Sequence, residues 1–163
     1  MTADTTGPVP REAMLAETGL ETLRGLIEGR HPAPPFAATT GCYLAEVEDG
    51  RVLFRGVPDS RFLNPLGSIH GGWTAGIMDS AMACAVHSIL KAGQGYTTLE
   101  FRVHLVRAIS PRSGELSCEG RIVHRGGTVA TSEGFLRDSA GRLLAHGTET
   151  CLVFDGAAHK PGG

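Results

Sequence analysis

The chain has 163 residues, enough for about one domain with a buried core and no need of disulfides or metals. Its formal net charge of -2 offers no general attraction to nucleic acid or to an anionic membrane. The four cysteines, Cys42, Cys84, Cys118 and Cys151, are far apart and form no CxxC pair or zinc-type cluster, so they read as buried thiols of a reducing compartment.

The first residues, MTADTTGPVPREAM, lack the basic start and apolar run of a secretory signal, and a cytoplasmic location is expected. Residues 11–29 place Leu15, Leu20, Leu23, Leu26 and Ile27 at approximate helical spacing, with Gly29 and Pro32 as a stop. This predicts one amphipathic helix packed on the outside. Residues 30–37, RHPAPPFA, read as a stiff proline-rich connector. Residues 41–48 and 52–57 read as a hairpin joined by the Asp49-Gly50 turn signal.

A long apolar helix is predicted from Gly72 to about residues 92–93. The segment around Trp73 to Leu90 is the only candidate for a membrane span, and Asp79 at its middle would cost about 2.5–3.5 kcal/mol there. Residues 97–106 then alternate strictly. Thr97 falls in the phase of Leu99, Phe101, Val103 and Leu105, the predicted buried face, opposite Thr98, Glu100, Arg102 and His104. Three more strands are expected over 115–124, 128–137 and 142–154, joined by short loops that imply antiparallel neighbours.

No alternating βαβ pattern occurs, so the fold class is α+β: one antiparallel sheet wrapped round a central helix. The expected division is an N-terminal extension over 1–37, one domain over 38–156 and a short tail over 157–163.

The chemistry concentrates in residues 64–90, NPLGSIHGGWTAGIMDSAMACAVHSIL. The chain lacks a GxGxxG after a strand, a Walker loop, a GxSxG elbow and HExxH. Two glycines at a helix start, Gly71 and Gly72, leave unpaired N–H groups facing outward, the outline of an oxyanion site. Asn64 can add a side-chain amide donor to the same oxygen. A tight turn that Asn64 merely closes accounts for the same residues. Asp79 is an acid alone in an apolar helix, either bonded to a core partner or left poised as base or nucleophile. Gly72, Gly76 and Ser80 form a ridge of small residues that admits a close neighbour, from the chain's own sheet or from another chain.

Gly71 and Asp79 are eight residues apart, about 12 Å along one helix, so one carbonyl carbon cannot touch both. If they cooperate, the acid comes from a second copy of the chain across a two-fold axis. Thr97 either bonds Asp79, holds a water, or satisfies local backbone. His87 lies two turns beyond Asp79 and reads as a packed histidine.

Taken together, NPLGSIHGG, then Asp79, then Thr97 at the start of the next strand, resemble the hotdog-fold acyl-CoA thioesterases of the PaaI-like, phenylacetate-degradation branch. The resemblance spans about residues 41–154. It implies a sheet wrapped round a helix, homodimers often paired into homotetramers, and acyl-CoA hydrolysis at the subunit interface. On that pattern the Gly71 N–H and Asn64 polarise the thioester carbonyl, and Asp79 of the other chain attacks it or activates water. Thr97 orients that water or the acid, while His70 shapes the turn.

The resemblance places coenzyme A contacts at Val106-Arg107 and at His124-Arg125-Gly126-Gly127, two stretches that also read as solvated turns. Met82 and Met78, beside Asp79, are expected to line the acyl site without selecting one acyl group. No metal, separate cofactor, nucleic acid or membrane partner is expected. A non-catalytic acyl-CoA-binding module is the alternative, and a hotdog dehydratase or hydratase a more distant one. The N-terminal helix and connector depart from the family pattern.

Overall fold

The computed structural model describes residues 6–158. The N-terminal region carries three short helices, α1 (Arg11–Ala16), α2 (Gly19–Ile27) and α3 (Pro35–Thr40), in place of the one helix and connector expected from sequence. The break between the first two comes from a capping box. Thr18 Oγ1 accepts from the Glu21 N–H, and the Glu21 carboxylate accepts from the Thr18 N–H at 2.8 Å. The connector turns helical at Pro35, whose fixed φ suits a first helical position, and Gly41 ends α3 with φ of 68°.

Two strands follow, β1 (Cys42–Glu48) and β2 (Arg51–Gly56), and then a 3-10 turn over Ser60–Phe62. The long helix is α4 (Gly71–His87), which stops short of the predicted end because Ser88 to Leu90 close in tighter turns. The chain finishes with β3 (Gln94–Leu105), β4 (Leu116–Arg125), β5 (Val129–Arg137) and β6 (Leu143–Asp155). All six strands form one antiparallel sheet in the order β1-β2-β4-β5-β6-β3.

A row of glycines seats the helix on this sheet. Gly120, Gly134 and Gly147 are cross-strand neighbours on β4, β5 and β6, and so share the face that α4 covers. A Cβ at Gly120 would lie 2.1 Å from the Ala81 carbonyl oxygen, and one at Gly134 would lie 2.8 Å from Met82 Cγ. The missing side chains let the helix backbone sit directly on the strands, with Ile77, Met78, Ala81, Met82 and Ala85 fully buried between them. Removal of these side chains from water is the main stabilising term of the domain, at roughly 1.5–3 kcal/mol for each large one.

The N-terminal helices close the far end of α4. The Gly19 N–H donates to Leu90 O at 3.0 Å, and a Cβ at Gly19 would overlap the His87 carbonyl oxygen. His87 is buried beside Tyr96, with ring centroids 5.3 Å apart, in agreement with its reading as a packed histidine.

One feature of β3 corrects the predicted facing. Thr98 pairs with Cys151 and Glu100 with Thr150, so Leu99 is an inserted bulge residue and the alternation reverses there. Ahead of the bulge, Tyr96 and Thr98 face α4. Thr97 is exposed on the outer face, opposite Leu152, so it does not share the phase of Phe101, Val103 and Leu105. Strict alternation in the sequence hid the change because a bulge leaves no local sequence mark of its own.

Candidate active site

The loop before α4 is built by Asn64. Its Oδ1 accepts from the Leu66 and Ser68 N–H groups at 2.9 and 3.2 Å, and its Nδ2 donates to Ser68 Oγ at 2.8 Å. Asn64 thus closes the turn, and its amide retains a second N–H beyond the one given to Ser68. His70 is the exposed N-cap of α4, its Nδ1 accepting from the Gly72 N–H at 2.9 Å. That contact satisfies one of the orphan donors of the helix start. The neighbouring Gly71 N–H has no hydrogen-bond partner among the described residues.

Gly71 and Asn64 line one cavity of about 240 Å3, together with Thr74, Leu105, Val106 and Arg107. Four predicted site residues are therefore brought together at the N-terminal end of α4. The Arg107 backbone is pinned by its N–H to Leu144 O at 3.0 Å, while its side chain is exposed and reaches Leu143 O.

Asp79 opens onto a different cavity, of about 330 Å3. Ser80 and Cys84 of α4 line it with Asp79, Tyr96 comes from β3, and Leu26 and Phe36 come from the N-terminal helices. Asp79 has no hydrogen-bond or ion-pair partner among the described residues. Burial in these apolar surroundings raises its carboxyl above the ordinary aspartate range. The small-residue ridge is occupied at Gly76 by Phe36, since a Cβ there would lie 2.7 Å from the end of that ring. The ridge thus receives the chain's own N-terminal segment at this position, and not the sheet.

Met82 and Met78 do not line this cavity. Both are fully buried on the sheet side of α4, against Gly134 and Gly147; Met78 lies about 100° and Met82 about 60° round the helix from Asp79, on the side away from Ser80 and Cys84, which line the cavity. His124, Arg125, Gly126 and Gly127 form the β4–β5 turn at the other end of α4. Arg125 donates to Asp49 in the β1–β2 turn at 2.7 Å, and the Gly50 N–H of that turn donates to Ser88 Oγ beyond the helix end. Within one chain, this turn and Arg107 are far apart.

The structure also adds residues that sequence reasoning passed over. Thr98 donates its hydroxyl to Glu149 Oε1 at 2.7 Å. Glu149, on β6, is 1% exposed, and its Oε2 is buried with no partner. Burial is the first cause that pushes its carboxyl up to about 7, and the charge of Asp79 adds to it. The signal is legible in β6: Ala145, Gly147, Glu149, Cys151 and Val153 share one phase, and Glu149 is the only charge among these five. Tyr96 was masked by the same bulge as Thr98.

Among the described residues no group of three or more His, Cys, Asp or Glu side chains is placed to hold a metal ion, and no helix is long and apolar enough to cross a membrane.

Residues 66–145 match the family model of the thioesterase superfamily. Among solved structures, a putative thioesterase related to phenylacetic acid degradation, from Ralstonia eutropha JMP134, is 29% identical with a TM-score of 0.73, covering 80% of this chain and 98% of that one. A conserved protein from Pseudomonas aeruginosa is 26% identical with a TM-score of 0.69, covering 74% and 94%. A hypothetical thioesterase from Streptococcus pneumoniae TIGR4, solved with coenzyme A, shares the fold at 22% identity and a TM-score of 0.65, covering 74% and 92%. A search of curated proteins found no match.

The sheet, the central helix and these matches together define a hotdog-fold thioester hydrolase. Over residues 66–145 the chain matches the thioesterase superfamily, and the solved structures it resembles include thioesterases of the phenylacetic acid degradation, PaaI-like group.

Proposed function

We propose that the protein hydrolyses an acyl-CoA to the free acid and coenzyme A, at two equivalent sites shared between the chains of a homodimer. The observation that carries this reading is the separation of two complementary half-sites on one helix. An unpaired Gly71 N–H faces one cavity, and an unpartnered Asp79 carboxyl faces another. A second chain running antiparallel would bring its own Asp79 to the Gly71 end.

The free edge of β3 supports such a partner. Phe101 and Leu105 lie in the inward phase beyond the bulge, yet they are 42% and 60% exposed, because α4 covers the central strands and leaves this edge bare. An uncovered apolar edge strand invites pairing with another chain. An antiparallel partner would also bring the His124–Gly127 turn toward Arg107, so that guanidinium groups and backbone N–H from both chains meet one coenzyme A.

In the reaction the Gly71 N–H and the Asn64 amide donate to the thioester carbonyl oxygen and hold the charge that develops on it. The partner chain's acid, in the position of Asp79, either takes a proton from the water that attacks the carbonyl carbon or attacks that carbon itself. The C–S bond then breaks and the coenzyme A thiolate takes up a proton; on the second route water then hydrolyses the acyl–aspartyl anhydride, which frees the acid and restores the carboxylate. Burial favours both routes, since a desolvated carboxylate gains by losing its charge. His70 contributes as the cap that fixes the loop. Thr98 takes the inward place expected of Thr97, and its hydroxyl serves Glu149.

The apolar cavity beside Asp79 suits an aryl or medium-chain acyl group. Release of free coenzyme A from phenylacetyl-CoA and octanoyl-CoA by the wild type and by Asp79→Ala tests the reading; turnover unchanged by the substitution contradicts it.

A further inference from the structure

We propose that Glu149 is a positioning residue for hydrolysis: a second carboxyl, on the sheet face that packs against α4, whose ionisation makes Asp79 a stronger proton acceptor. The inference rests on the thioesterase reading for its kinetic consequence and on geometry for its origin.

Glu149 sits in the inward phase of β6 among Gly147, Cys151 and Val153, where an apolar side chain would complete the wall. Its two oxygens are treated differently. Oε1 accepts from Thr98 Oγ1 at 2.7 Å and from Cys151 Sγ at 3.3 Å, while Oε2 is buried without a partner. A buried carboxylate with one bare oxygen is costly, and a structural acid would have a cation or more donors about it. None is present. The titratable groups facing Glu149 are Asp79 and Cys84 from α4, Tyr96 from β3 and Cys151 from its own strand. Its neighbour on β5 is Ser132, whose hydroxyl donates to Met82 O. Burial pushes both thiols up to about 12 and the Tyr96 phenol well above its ordinary value, so these groups are neutral wherever Glu149 titrates.

Asp79 and Glu149 therefore form an acid pair with no basic group between them. Asp79, less enclosed, ionises first. When Glu149 ionises in turn, two like charges face each other across the helix–sheet wall. Asp79 relieves that repulsion by taking a proton from water or by forming a bond to the acyl carbon, because either step removes its charge. The strain exists in the ground state and is lost in the transition state, so ionised Glu149 raises kcat. Its contribution reaches the substrate only through Asp79.

Two measurements test this. The first is kcat and KM for phenylacetyl-CoA from about pH 5 to about pH 9, for the wild type, Glu149→Gln and Thr98→Val. The wild type shows a rise in kcat of about threefold or more across neutral pH, beyond the limb that belongs to Asp79. Glu149→Gln keeps the packing and the oxygen facing Thr98, lacks that rise, and leaves KM within about twofold. Thr98→Val removes a donor that favours the ionised acid and moves the rise to higher pH.

The second is a carbon-13 NMR titration of labelled side-chain carboxyls, which needs no substrate. Glu149 titrates near neutral pH in the wild type and lower in Asp79→Asn. A step retained in Glu149→Gln, or a Glu149 carboxyl titrating in the ordinary range, overturns the proposal. Absence of any acyl-CoA turnover overturns the thioesterase reading instead, and the titration then decides the Asp79–Glu149 linkage by itself.

Discussion

Gly71 and Asp79 belong to one helix and open onto two different cavities, the first beside Asn64 and Arg107, the second beneath Phe36. The donor end can be tested without disturbing the helix. Gly71 is the first helical residue, where proline is tolerated, and His70 before it has φ of -61° and ψ of 138°, an extended conformation compatible with a following proline. Gly71→Pro removes the N–H and adds a ring whose Cβ would lie 3.2 Å from Leu105 Cδ1, the end of a side chain that can shift. It is expected to lower kcat by about 100-fold or more with circular dichroism unchanged, the loss typical of one oxyanion donor.

Asp79→Asn separates activity from stability. Burial raises the Asp79 carboxyl, so the folded chain disfavours the charged form, and stability falls as the pH rises from the ordinary aspartate value through the folded one. The amide removes that charge. The variant is expected to lose about 100-fold or more in kcat while its Tm at neutral pH rises, as differential scanning calorimetry will report.

Much of this was legible in the chain before any coordinates. The strand and helix order follows from periodicity, and the Asn64, Gly71 and Asp79 pattern points to the chemistry. Three things were not legible, each for a physical reason. The bulge at Leu99 reverses the facing of β3 without changing its composition, so Thr97 was read inward in place of Thr98 and Tyr96. The capping box at Thr18 splits a helix whose apolar spacing alone looks continuous. The covering of Gly76 by Phe36 depends on contact between distant segments, which no local pattern encodes. Glu149 is a different case: its inward phase in β6 is readable from the sequence alone.

The buried acid and the buried histidine give opposite pH dependences of stability. Glu149 has a folded pKa of about 7 against an ordinary 4.5, so its contribution is fully present below about pH 4.5 and lost as the pH rises through about 7. His87 is pushed down to about 4 by burial, so its contribution is present above about pH 6.5 and lost as the pH falls through about 4. Glu149→Gln is therefore expected to gain on the wild type between pH 5 and pH 8, by up to about 3 kcal/mol in urea unfolding. A pH-independent difference between the two proteins contradicts the assignment of the buried charge.

The glycine row predicts where the fold is least tolerant. At Gly120 a methyl group meets the Ala81 carbonyl at 2.1 Å, and neither backbone can give way without lifting α4 from the sheet. Gly120→Ala is expected to cost about 3 kcal/mol or to prevent folding, measured by denaturant unfolding, whereas Gly127→Ala, with open space about its Cβ, is expected to change stability little.

Completion of each site by two chains is tested most directly by mixing Gly71→Pro with Asp79→Asn, each inactive alone, after joint unfolding and refolding. Random pairing makes about half the dimers mixed, each with one intact site of two, so activity is expected to recover to about a quarter of the wild-type value. Mixed dimers that form and show no recovery would contradict a site shared between subunits.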